Sequence, residues 1–182
     1  MIRASCPTQT AFTAPDRLAV TQQRIAAMIK AVSAVQQQLG KFYDLLDDGQ
    51  EARLNALAED RRKMSAANGA TEAPAQACGA AQPAALQWPA DEIEARLHPN
   101  DIQRVALKGL QDANAGAFDI LNGECLPKDA TTPPARLDAA EGRLDAMQRA
   151  VNLVRAALEG FYATLSDEQK AQFEAIGQKR TA

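Results

Sequence analysis

Aromatic side chains are scarce, only 4% of 182 residues, and the chain has one tryptophan and one histidine. A single His98 leaves no histidine pair for a metal and no base for a serine-type triad. Charge of one sign is also missing. Lys+Arg of 20 against Asp+Glu of 23 gives 20 − 23 = −3, so no basic field speaks for nucleic acid or an anionic membrane. No apolar run approaches the roughly 18–20 residues of a membrane span. No apolar leader core follows Met1–Pro7. Glycine-rich phosphate cradles and CxxC pairs are absent, the three cysteines (Cys6, Cys78, Cys125) lying far apart. What remains is 46% hydrophobic, with alanine supplying much of it, and dotted with charge. That composition predicts an all-α chain with no cofactor, no metal site and no catalytic residue.

Sliding the chain by 119 residues lays Pro15–Ala58 on Pro134–Gly177 without a gap. Seventeen of 44 pairs are identical, among them Arg24/Arg143, Met28/Met147, Val35/Val154, Phe42/Phe161, Leu46/Leu165 and Gln50/Gln169. Only four of the identities are alanines, so shared composition cannot account for them. The chain is a tandem duplication. The same shift superposes Cys6 on Cys125, and a helical stretch at 90–122 has no counterpart in the first unit. The expectation is that the first unit lacks its front part through truncation.

Each unit carries a heptad seam: Leu18, Thr21, Ile25, Met28, Val32, Val35, Leu39, Phe42, Leu46 in the first, and Leu137, Ala140, Leu144, Met147, Val151, Val154, Leu158, Phe161, Leu165 in the second. Alternating steps of three and four place these residues along one side of a helix, which needs a partner helix. Thr13-Ala14-Pro15 and Thr132-Pro133-Pro134 supply a capping hydroxyl and a proline for the first turn. Each long helix then stops at a break. Leu46-Asp47-Asp48-Gly49-Gln50 and Leu165-Ser166-Asp167-Glu168-Gln169 both read as capping boxes that open a final helix, over 48–64 and 167–178. Inward positions there are Ala52, Leu54 and Leu57, and Ala171, Phe173 and Ile176. A short helix over 90–97 ends at His98-Pro99, and Asn100/Asp101 cap another that runs to Asn122 with Ile102, Ala106, Leu110, Ala113, Ala117 and Ile120 inward.

These elements predict an incomplete first repeat over 1–64, a flexible Ala/Gly/Pro/Gln linker over 65–87, and a second repeat over 88–182. Cys78 and Cys125 bracket a complete helix pair, so one disulfide per unit is the simplest pairing, with Cys6 left alone. It would close a loop of about 48 residues, worth roughly 4 kcal/mol in chain-entropy terms, and imply an oxidising compartment. Three reduced thiols are the alternative. The acidic pairs Asp47-Asp48 and Asp167-Glu168 sit at helix starts, where they suit the dipole rather than acid–base work. Phe42-Tyr43 and Phe161-Tyr162 fit a core with a half-exposed edge, or a partner surface.

The Leu-[Ser/Asp]-x-x-Gln break, once at 165–169 and again at 46–50, resembles the LTxxQ motif of the Spy/CpxP-like periplasmic proteins. The strings Phe161–Lys170, Thr132–Leu137 and Trp88-Pro89 resemble the duplicated α-proteobacterial branch of that family. Here Ser166 and Asp47 stand where the motif prefers threonine. The resemblance implies a non-enzymatic, exported α-helical protein. Its relatives are ATP-independent chaperones that hold unfolded proteins, or regulators and structural factors of envelope stress that bind one folded partner. The motif residues would then be Leu46, Asp47, Gln50, Leu165, Ser166 and Gln169, and a homodimer is compatible with the pattern.

Overall fold

In the computed structural model, residues 13–67, 89–123 and 130–179 are described, and the described residues contain helices and no strand. The helices are α1 (Ala14–Tyr43), α2 (Asp48–Ala67), α3 (Ala90–Leu97), α4 (Asp101–Gly123), α5 (Pro133–Ala163) and α6 (Asp167–Lys179). The all-α class follows directly. Cys6, Cys78 and Cys125, and with them the expected disulfide, lie outside the described residues.

The two long helices begin alike. Thr13 Oγ1 accepts the Asp16 amide and Thr132 Oγ1 accepts the Ala135 amide, each at 3.3 Å, with proline in the first turn. These caps use amides that have no partner inside the helix.

Helix α5 is central, with α1 along one side and α4 along another, both antiparallel to it. The α1 register is set by Gln22 with Arg155, Ser33 with Glu141 and Gln36 with Asp138. The α1 N-terminus is pinned to α6, where Ala14 N–H donates to Glu174 Oε1 at 2.6 Å and Arg17 pairs with Glu174 at 2.8 Å. On the other side, Gly116 carries α4 close to α5, since a Cβ there would lie 3.2 Å from Leu153 Cδ2. Ala113 and Ala117 on the same face are buried, and small residues let two helix axes approach. The main core joins α3 to α6: Ile93, Leu97, Leu107, Leu110, Leu158, Phe161, Leu165, Phe173 and Ile176.

Burial departs from the expected seams in ways that trace to this arrangement. Contacts on two sides of α5 bury Ala146 and Ala150, which lie off the heptad seam. In α4, Ile102 is 74% exposed, while Gln103 and Leu107 are inside. Gln103 is fastened to the α5–α6 break and Ile102 beside it faces out, while the rest of the expected stripe is inside, Leu110, Ala113 and Ala117 buried and Ala106 and Ile120 half-buried. In α6, Phe173 and Ile176 are buried but Ala171 is exposed. In α2, Ala52 is exposed and Leu57 is 64% exposed, and no α2 side chain that is described is buried. This helix runs to Ala67, beyond the expected end at 64, with a hydrogen bond from the Tyr43 hydroxyl to Asn55 Oδ1 tying it to α1.

Candidate functional site

The LTxxQ-like break has the same backbone geometry in both repeats. Leu45 N–H donates to Phe42 O and Leu46 N–H to Tyr43 O, matched by Thr164 N–H to Phe161 O and Leu165 N–H to Tyr162 O. The capping boxes close in the same way. Asp47 N–H donates to Gln50 Oε1 at 3.0 Å and Gln50 N–H returns to Asp47 Oδ1 at 2.8 Å. Ser166 N–H donates to Gln169 Oε1 at 3.0 Å and Gln169 N–H returns to Ser166 Oγ at 3.3 Å. A hydroxyl and a carboxylate both serve, because the helix start needs only a short acceptor. At the start of α6 a backbone amide and the Ser166 hydroxyl bond to Glu168, holding its carboxyl below the ordinary value of 4.5.

In the second repeat the motif glutamine does more. Gln169 Nε2 donates to the Leu97 carbonyl at 2.8 Å, and Gln103 Nε2 donates both to Gln169 Oε1 and to the Thr164 carbonyl, each at 2.8 Å. Gln103 itself forms a reciprocal capping box with Asn100 at the start of α4. His98, the C-cap of α3, takes the left-handed conformation (φ 44°) that turns the chain between α3 and α4. One amide therefore clamps the α3–α4 corner onto the α5–α6 corner. At the far end of α4, Arg143 Nη1 donates to the Leu121 carbonyl at 2.8 Å. A cation there also suits the negative end of the helix dipole. Both clamps escaped the sequence reading, although Gln103 stood three residues after Asn100 and Arg143 was one of the duplicated identities.

The first repeat has the same parts without the cover. Its seam splits into two series of sevens. Leu18, Ile25, Val32, Leu39 and Leu46, none of them exposed, form the series turned toward α5. Thr21, Met28, Val35 and Phe42 are all exposed. Their duplicates Ala140, Met147, Val154 and Phe161 are all at least half-buried. Val35 is 56% exposed and Phe42 48%, against 0% for Phe161. Leu45, in the break, and Leu57 and Met64, on α2, are exposed as well.

Phe161 is thus a core residue, packed edge-to-face on Phe173 at 5.7 Å, and not part of a partner surface. Tyr162 is half-buried, and that burial together with nearby Glu174 raises its hydroxyl above 10.0. Phe42 is the accessible member of the four expected surface aromatics, with half-buried Tyr43 edge-to-face beside it at 6.2 Å.

An apolar cavity of about 320 Å³ lies where the α1 N-terminus meets the other repeat, lined by Leu18, Ile93, Leu110, Val154, Leu158 and Phe173 among others. Arg17 at its edge is already paired with Glu174. Among the described residues, no group of three or more His, Cys, Asp or Glu is placed to hold a metal ion. No described helix is long and apolar enough to cross a membrane.

No curated protein and no solved structure matches the chain significantly. A family profile does, described as LTXXQ motif family protein, over residues 1–58 and 85–177, so that both copies of the glutamine-locked break fall inside it. The chain belongs to the LTXXQ motif family.

Proposed function

We propose that the chain is a non-enzymatic periplasmic protein that binds unfolded or aggregation-prone proteins without ATP, as the Spy-type chaperones of its family do. One observation carries the reading. The Thr21–Met28–Val35–Phe42 series along α1, with Leu45, Leu57 and Met64 also exposed in the same repeat, offers apolar surface on a charge-dotted helical protein. A contiguous apolar surface rimmed by polar residues marks an interaction site. A holdase needs such surface exposed on a chain that is itself stable. Here the buried α3–α6 core supplies the stability, and the first repeat supplies the surface.

The test is an ATP-free aggregation assay with a chemically denatured client. The expected result is suppression that rises with chaperone concentration and is lost in Phe42→Asp. No suppression at several-fold molar excess would overturn the reading.

A further inference from the structure

We infer that the open face of the first repeat is a socket for a helical segment, specifically an amphipathic helical corner of α3–α4 chemistry supplied by a partner protein. The inference rests on the reading of that face as a binding surface and goes on to say what shape of ligand it takes. The reason is the duplication. The same surface exists twice in one chain, and in the second repeat α3 and α4 occupy it.

Three features of α5 and α6 hold α4, and all three recur on α1 and α2. The apolar pair Val154 and Phe161, packed with Leu107 and Leu110 of α4, recurs as Val35 and Phe42, and Met147 one heptad earlier recurs as Met28. The clamp at the start of α4, Gln169, recurs as Gln50, whose Oε1 caps Asp47 in the same way. The clamp at the end of α4, Arg143, recurs as Arg24. Among the described residues, Arg24 is exposed with no partner, and the Gln50 side-chain amide nitrogen donates to none. An exposed Arg and an exposed Gln at the two ends of an apolar row have no role in stabilising α1 or α2 beyond the Asp47 box. Together they match what a docked helix presents: free carbonyls at its C-terminus, and a carbonyl with a capping amide at its N-terminus.

The partner segment therefore has defined chemistry. It is a helix of about six turns, with small residues such as alanine and glycine along the face that meets Ala34, the duplicate of Leu153, and larger apolar residues toward Val35 and Phe42. A glutamine or asparagine lies in its first turn to meet Gln50, and its last carbonyls lie free for Arg24. An extended apolar strand would satisfy neither clamp.

The probe is a fluorescein-labelled peptide of this chain's own residues 89–123, added to the intact chain and followed by fluorescence anisotropy and circular dichroism. Saturable one-to-one binding with a gain of helix is expected. Phe42→Asp and Val35→Asp should each weaken it by about tenfold or more, as truncating a central apolar anchor does. Arg24→Ala and Gln50→Ala should each weaken it by about threefold to tenfold, the range for a hydrogen bond across an interface. All four side chains are exposed, and native helix content with a cooperative melt certifies the fold of each variant, Gln50→Ala losing no more than its cap contact.

Three results would overturn the inference: no saturation, binding indifferent to the four substitutions, or equal binding of a scrambled peptide. Concentration-dependent dimerisation of the chain alone, abolished by Phe42→Asp, would also overturn it by making a second copy the occupant. The aggregation assay separates the two readings. Client suppression without peptide binding leaves the chaperone reading standing and removes the helical socket, and peptide binding without suppression does the reverse.

Discussion

Phe42 and Phe161 occupy the same place in two copies of one design, yet one is half in solvent and the other is sealed. The same is true of Val35 and Val154, and of Leu57 and Ile176, which are 64% and 3% exposed. Their helices start with the same cap and stop at the same glutamine box. Local sequence therefore makes the helix–break–helix element, and a second layer decides whether it becomes core or surface. In the second repeat that layer is α3–α4. In the first, α5 covers only half of the seam.

The sharpest way to test this contrast is to truncate the paired phenylalanines. Phe161→Ala should cost about 3–5 kcal/mol in urea unfolding, the usual price of an emptied aromatic site. Phe42→Ala should cost under about 1 kcal/mol, as for an exposed side chain. Equal losses would show that the first repeat is covered in solution.

The glutamines come next. Gln169→Ala leaves the Leu97 carbonyl and the Gln103 amide short of partners and should cost about 1–3 kcal/mol. Gln50→Ala removes only a cap contact and should cost about 0.5–1 kcal/mol. Hydrogen exchange at the α3–α4 corner should accelerate in Gln169→Ala and stay unchanged in Gln50→Ala.

For the arginines, Arg143→Ala should cost about 1 kcal/mol through the lost helix-end contact, and Arg24→Ala should leave the melting curve of the isolated chain unmoved. A stability loss in Arg24→Ala would mean that the residue already has an internal partner.

The smallest effect concerns acid. Glu168 has a folded value held below 4.5, so its contribution to stability is present above that value and is lost as pH falls through the lowered one. Its duplicate position is Gly49, which cannot titrate. In Glu168→Gln the α6 region should lose this acid sensitivity between pH 5 and the lowered value, about the range where carboxylates protonate, as read by circular dichroism.

The helix inventory was legible in the sequence because its signals are local. Thr13 and Thr132 at the caps, the prolines after them, and Asp47/Gln50 and Ser166/Gln169 at the breaks act within three or four residues. The faces were less legible. Ile102 fits the stripe of α4 as well as Leu107 does, and only the distant bond from Gln103 to the Thr164 carbonyl chooses between them. The site was legible only in part for the same reason. Phe42 and Phe161 have matching neighbours along the chain, and their opposite fates depend on which helix arrives from elsewhere in the sequence. Periodicity can state that a face wants a partner, but the identity of the partner is a tertiary fact.

The left-handed turn at His98 has a bearing on how such a chain could evolve. A corner fastened by two glutamines at one end of α4 and an arginine at the other, with Ile93, Leu97, Leu107 and Leu110 packed into the core, is a well-defined unit. Among the described residues the receptacle is present twice and the plug once. Once a receptacle stands open, selection can act on it separately, and the fold does not have to be reinvented for a new ligand. The two copies of Gln-and-Arg hardware are then a lock that is closed in one half of the molecule and waiting for a key in the other.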